Sequence, residues 1–393
     1  MKKIAFEVSD NIAIYSHMLP LLNAFIKSNE VFVSLYSVSE DNFANLQEEY
    51  RFYYGQELVV FEQVVLRDSR LSKLKKTVVA VAKKYHLAMF LPIVRKVFTS
   101  FRKNKNNKLD DFSDFYKRNA DFFLKHDIIF TTELKGCVPF EGFPKLVWLL
   151  HGIISNDNPF YKNWNCDLVV SPQIGLIEKL RERTSFPHDS IIYTSAYLKY
   201  DLIKLQQSNE IINITQQKKY TVLYNPHWDN GSGQSSWFKY GIEILEFFYN
   251  RKDINLIFAP HISLAKFYDI QIPSKYTFCE NIKIDLSSEN LVRGTYISQT
   301  DCYLGDVSSQ YFEFILCKPN IDAIFFNVAG FDWHASPVYS YWNDGVVIND
   351  VKSLDEALVS AGLNKKNRQK RFHEIPENQV ESLLFYIKTH FLE

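Results

Sequence analysis

The chain has 393 residues, 46% hydrophobic, 23% charged and 16% aromatic, and its 45 Lys plus Arg balance 45 Asp plus Glu. That length suits two domains with separate cores, the composition is that of a globular protein, and the charge balance gives no global field toward nucleic acid. The five cysteines (137, 166, 279, 302 and 317) are odd in number and lack CxxC spacing, which argues against a disulfide framework or a zinc site and for a reducing compartment.

The opening MKKIAFEVSD meets an acid at Glu7, too early for the apolar core of a signal peptide. No window approaches the roughly 20 apolar residues of a membrane span. The expectation is a cytoplasmic protein. Strands are predicted in the first half at 4–8, 31–38, 57–65, 127–134, 145–152, 167–172 and 190–195, where β-branched runs are short and bounded. Helix-period segments at 18–28, 111–126 and 174–184 fall between them.

Between the third and fourth strands lies a segment of another kind. From Arg67 to Lys108 there are thirteen Lys or Arg and one acid, Asp68, interleaved with Val78, Val79, Leu87, Met89, Phe90, Leu91, Val97 and Phe101. Such a segment can lie on an anionic bilayer surface, or it can be a solvated helical excursion whose apolar side packs on its own domain.

The polar stretch 204–219 reads as a linker. Alternation then restarts, with strands at 220–226, 255–261, 302–306, 321–327 and 345–350 and helices at 237–252, 309–318 and 353–362. No internal repeat stands out. The fold class expected is α/β, with two Rossmann-like domains facing each other across a cleft, and the final helix near ESLLFYIKTHFLE is placed back on the first domain.

Ligands in such folds sit beyond the carboxyl ends of the strands. Four strand ends carry notable polar residues: His151-Gly152, Pro226-His227-Trp228, Pro260-His261 and Gly305-Asp306-Val307-Ser308-Ser309. At the last of these an apolar strand is cut off by an acid and two hydroxyls before a helix begins. A helix start with unpaired N–H groups and two hydroxyls can hold a phosphate, and either serine can equally be a plain helix cap. Asp306 can cap, orient a donor hydroxyl or bind ribose. His17, in the loop after the first strand, is either an acceptor-side contact or a packed helix-start residue. No GxGxxG, Walker lysine loop or GxSxG elbow is present.

The set LLHGIISND, VLYNPHWD, LIFAPH and YLGDVSSQYFEF resembles the bacterial CDP-glycerol glycerophosphotransferases of teichoic-acid and capsule synthesis, motif by motif and in the same order over about residues 145–330. The resemblance implies a GT-B fold, with residues 1–213 as acceptor-side domain, 214–375 as nucleotide-donor domain and 376–393 as the returning helix. It implies His151 as catalytic base beside Gly152, and His261, Ser308 and Ser309 on the donor phosphates with Asp306 beside them; Trp228 matches the family's turn better than His227 does. The chain departs from the family in lacking a basic residue after His151-Gly152 and an Arg before His261, and in having Val307 where the family has Tyr.

The implied partners are a nucleotide-diphosphate donor and a glycan or lipid-linked acceptor, with an anionic membrane surface as a further candidate for residues 67–108. No nucleic acid, metal or separate cofactor is expected. Alternatives are a nucleotide-sugar-dependent glycosyltransferase on the same fold, a non-catalytic nucleotide-binding protein and a sugar-nucleotide epimerase.

Overall fold

The computed structural model describes residues 1–67, 115–133, 140–151, 166–176, 178, 180, 189–210, 219–228, 233–308, 310–335, 337–362, 368 and 370–393. They form two compact units, one of residues 1–202 with 371–393 and the other of residues 203–370.

In the first unit the strands are β1 (Lys3–Glu7), β2 (Phe32–Ser37), β3 (Glu62–Val65), β4 (Ile128–Thr131), β5 (Lys145–Leu149), β6 (Leu168–Val170) and β7 (Ile191–Tyr193). They pair in parallel in the order β3-β2-β1-β4-β5-β6-β7. Successive side chains of a strand point to opposite faces, and both faces here are covered. Ile4, Phe6 and Val8 join one core with helix α1 (Leu19–Ser28), and Ala5 joins a second core with Phe115, Tyr116 and Phe123. Two-sided burial explains why these strands read as nearly unbroken apolar runs. β3 differs because it is the edge: only Glu62–Val65 pair, with Ser34–Ser37 of β2. The predicted strand at 57–65 is therefore short, and Val59 and Phe61 stand exposed.

Helix α2 (Asp41–Tyr54) buries Phe43, Leu46, Tyr50 and Tyr53, one stripe at helical spacing, and stops at Gly55, whose φ is 65°. The predicted linker at 204–219 begins as helix, because α3 (Lys199–Glu210) runs on from the buried Leu202 and Ile203 through good helix formers. The chain returns at its end. The His373 N–H donates to the Pro172 carbonyl at 2.8 Å and the Ile174 N–H to the Arg371 carbonyl at 2.9 Å, on either side of the antiparallel bridge of Gln173 and Phe372.

The second unit has six parallel strands, β8 (Thr221–Asn225), β9 (Asn255–Phe258), β10 (Ile282–Ile284), β11 (Cys302–Gly305), β12 (Asp322–Phe326) and β13 (Val346–Ile348), ordered β10-β9-β8-β11-β12-β13. β10 escaped the sequence reading because three residues with an exposed Lys283 in the middle carry little pattern. Helices α4 (Ser236–Asn250), α5 (Gln310–Cys317) and α6 (Leu354–Ser360) flank the sheet. α4 and α6 share a core with Val222, Tyr224, Phe258, Leu304 and Phe326. On the opposite face Tyr303, Tyr311, Phe314, Phe325, Tyr341 and Trp342 form a run of ring contacts. Closing the first unit, α7 (Gln379–Ile387) buries Val380, Leu383 and Ile387 in the same core as α1.

Both sheets reverse direction of growth once, between β1 and β4 and between β8 and β11. Those two switch points are where a parallel sheet opens a crevice at its carboxyl end. Among the described residues no helix is long and apolar enough to cross a membrane. The basic segment, apart from Arg67, lies outside the described residues.

Candidate functional site

In the second unit the polar residues of the sequence reading gather at the switch point. Asp306, 1% exposed, follows β11 and accepts hydrogen bonds from the His227 N–H at 2.8 Å, the Ser236 N–H at 2.7 Å and the Ser236 hydroxyl at 2.8 Å. Its own turn closes on it through the Val307 N–H at 2.6 Å. The carboxylate is thereby spent on tying the loop after β8, the start of α4 and the end of β11 together. Burial pushes its pKa up, against the pull of the Ser236 and His227 N–H groups. This answers why an acid stops the strand: it is the knot of three loop ends.

Gly305 belongs to the same construction. A Cβ there would lie 2.6 Å from the Tyr303 ring, so the phenol can cross the strand only because the glycine is bare. Its hydroxyl then donates to Asn225 Oδ1 at 3.0 Å, linking β11 to β8. Ser308 is 6% exposed and its oxygen accepts from the Gln310 N–H at 3.2 Å, so it caps the start of α5. Ser309 lies outside the described residues, as does Gly152.

His261 stands after β9, with its ring 5.4 Å from His227 and 6.4 Å from Trp228. Its Nδ1 accepts the Ser263 N–H at 3.1 Å. A neutral imidazole with an accepting Nδ1 carries its hydrogen on Nε2, so this ring presents an N–H donor. Burial, with His227 second, pushes its pKa down to about 3. His261 is thus a neutral donor. Trp228 also packs 5.3 Å from Phe267.

In the first unit His151 follows β5, half-buried, with Nδ1 2.6 Å from the Thr132 carbonyl at the end of β4. A carbonyl only accepts, so Nδ1 carries a hydrogen, and the ring in its neutral form presents a bare Nε2. His17 ends the helical turn Ile12–His17 beyond β1 and is 3% exposed. Its ring meets that of His151 at 6.2 Å and that of Tyr197 at 5.3 Å, both edge-on. Burial, then the charge of Lys199, then His151 hold the His17 pKa well below the usual histidine range. The catalytic candidate His151 and the acceptor-side candidate His17 are therefore neighbours at the β1/β4 switch point, and His17 packs against His151 and Tyr197.

Lys199, only 2% exposed, and the buried Glu7, whose Oε2 accepts the Thr131 hydroxyl at 2.5 Å, complete that end of the sheet and are not among the predicted site residues. A charged residue inside the apolar run IAFEV was the available signal for Glu7. Among the described residues no group of three His, Cys, Asp or Glu is disposed to hold a metal ion.

Two parallel α/β sheets, each with one switch point and helices on its faces, give the GT-B fold, and solved structures of that fold are similar over the whole chain. The wall teichoic acid polymerase TagF matches with a TM-score of 0.58 at 13% identity, covering 100% of this chain and 89% of the other. The UDP complex of S. aureus MnaA matches with 0.59 at 11%, covering 99% and 97%. The UDP-GlcNAc 2-epimerase of Neisseria meningitidis, bound to UDP-GlcNAc, matches with 0.54 at 10%, covering 99% and 100%. No protein-family model matches the chain, and no curated protein is similar to it in sequence.

Proposed function

We propose that the chain is a transferase that moves a group from a nucleotide-diphosphate donor to a hydroxyl of a cell-surface glycan precursor, with glycerol phosphate from CDP-glycerol as the group its motifs favour. The carrying observation is the opposite presentation of two histidines at strand ends: a bare Nε2 on His151 and an Nε2–H on His261. A general base asks for the first form and a phosphate site for the second.

In the glycerophosphate reaction the acceptor oxygen attacks the distal phosphorus of CDP-glycerol. The new O–P bond forms as the bond from that phosphorus to the CMP oxygen breaks. His151 Nε2 takes the acceptor's proton, and the leaving CMP keeps the electron pair and the negative charge. His261 Nε2–H and, at the Asp306–Ser308 turn, the hydroxyl hydrogen of Ser308 supply donors to that charge, which is the main demand of phosphoryl transfer. Asp306 takes no part in the chemistry; it holds the β8 and β11 loops in register. The same residues serve a nucleotide-sugar donor, where the acceptor attacks the anomeric carbon and the nucleoside diphosphate leaves. TagF and UDP-GlcNAc-bound neighbours of the same fold are compatible with either donor.

A thermal-shift screen of CMP, CDP-glycerol, UDP, GDP and their sugars tests the reading, because a ligand of the native state raises apparent stability by mass action. One nucleotide class is expected to raise the midpoint, and mass analysis of the product with a glycan acceptor then identifies the transferred group. Binding without product under any acceptor favours the non-catalytic alternative, and product from donor alone favours an epimerase.

A further inference from the structure

The loop after β12, residues 327–344, carries six aromatic residues that the roles above do not use: Phe331, Trp333, His334, Tyr339, Tyr341 and Trp342. Trp342 is fully buried, and its indole N–H donates to the Asp306 carbonyl at 3.2 Å, as does the Tyr341 hydroxyl at 3.1 Å. The loop is thus fastened to the turn that leads to Ser308. On Trp342 rest Tyr339 at 4.8 Å, Trp333 at 5.8 Å and Phe331 at 6.1 Å between ring centroids, and Phe331 also meets Tyr339 at 4.8 Å. These three are only half-buried, and the exposed His334 ring stacks on Trp333 at 3.8 Å, so the surface that the group keeps toward solvent is shared with an imidazole. The Asn327 amide fixes the loop's start by donating to the Phe331 carbonyl at 2.9 Å.

The strand order β9-β8-β11-β12 sets this group against the other aromatic face of the unit. Trp228 and Phe267 stand at the β8 and β9 ends on one side of the Asp306 turn; Phe331, Trp333 and Tyr339 stand beyond β12 on the other. A diphosphate held at the turn has something attached at each end. A nucleotide sugar carries a ring at both ends, a base and a pyranose, whereas CDP-glycerol carries a ring at one end only. A half-buried, rigid aromatic platform is suited to the apolar face of a pyranose, and a three-carbon chain gives it little to cover.

We propose that Phe331, Trp333 and Tyr339 form a shelf for the sugar ring of a nucleotide-sugar donor, which turns the choice between the two donors above toward a hexosyl-type group and away from the glycerol phosphate that the motifs favour. The inference rests on the reading of the Asp306–Ser308 turn as the donor's phosphate site. Tyr339 has a second use there: its phenol is protonated at neutral pH, as any tyrosine is, and can donate to a sugar hydroxyl; burial and then the Asp306 charge push its pKa further up.

Calorimetric titration of the full chain with UDP, UDP-N-acetylglucosamine, GDP, GDP-mannose, CDP and CDP-glycerol tests it. At least one nucleotide sugar should bind tenfold or more tightly than its parent diphosphate. Trp333→Leu should erase that difference while leaving the parent diphosphate within twofold, and Trp333→Phe should restore most of it. Tyr339→Leu, at a separate point of the shelf, should weaken the sugar preference in the same sense. A preference untouched by Trp333→Leu and Tyr339→Leu, an equal loss for diphosphate and sugar, or a gain limited to CDP-glycerol overturns the shelf alone. Failure of every diphosphate to bind the wild-type chain removes the phosphate reading and the shelf with it.

Discussion

At the end of β5 the His151 ring rests on a carbonyl, and at the end of β9 the His261 ring rests on an amide. The two strand ends are alike in sequence, an apolar run closed by histidine, and opposite in chemistry, since the backbone group behind each ring decides which nitrogen holds the hydrogen. A residue type names a range of abilities; the neighbour one bond away selects among them.

That contrast is open to attack from both sides. The largest effect should come from His151→Ala, which removes the bare nitrogen: turnover is expected to fall by about 10²–10⁴-fold, the usual scale of a general base, with nucleotide affinity nearly unchanged. Equal loss of both in steady-state and binding assays makes His151 a structural residue instead. Asp306→Ala should come next, because it strands the buried N–H groups of His227 and Ser236; a loss of roughly 2–5 kcal/mol in urea unfolding follows from unpaired buried donors. A loss under 1 kcal/mol would show that the knot is not needed.

His261→Gln should weaken diphosphate binding by about 1–3 kcal/mol, the scale of a hydrogen bond to a charged group, and it also alters the response to acid. In the wild type this histidine titrates at about 3 when folded and near 6.5 when unfolded. The unfolded chain therefore binds more protons between those values, so stability falls as pH drops from about 6.5 toward 3 and is insensitive to this group above that window. The stability difference between wild type and His261→Gln should change with pH inside the window; a constant difference contradicts the buried neutral ring. The smallest effect is expected from Gly305→Ala, about 1–3 kcal/mol of overpacking against Tyr303, and a neutral result would mean that the phenol swings aside freely.

Much of this was legible beforehand because buried parallel strands write themselves as short apolar runs, and twelve of them led to the correct α/β class. The ends of those strands also picked out residues that the structure brings together, His17 with His151, and His227 with Trp228, His261 and Asp306. What could not be read were relations between distant residues. Nothing in GDVSS says that Asp306 is consumed by Ser236, and nothing in LLHG says that Thr132 lies behind His151. The aromatic loop after β12 hid for another reason: FDWHASPVYSYW has neither a helical nor an alternating period, so it offers a pattern search nothing to hold. The strand β10 and the shortness of β3 were lost to the same lack of periodic signal at a sheet edge.

The return of residues 371–393 to the first unit has a consequence for how the polypeptide is made. Residues 203–370 are one unbroken run, so every partner for a contact inside that unit has been synthesised before the last helix is made. The earlier-synthesised unit must wait for the final helix, whose Val380, Leu383 and Ile387 fill its core. A truncated chain ending at 370 would offer that unfilled pocket of hydrocarbon to chaperones and proteases, while the later-made half stood complete.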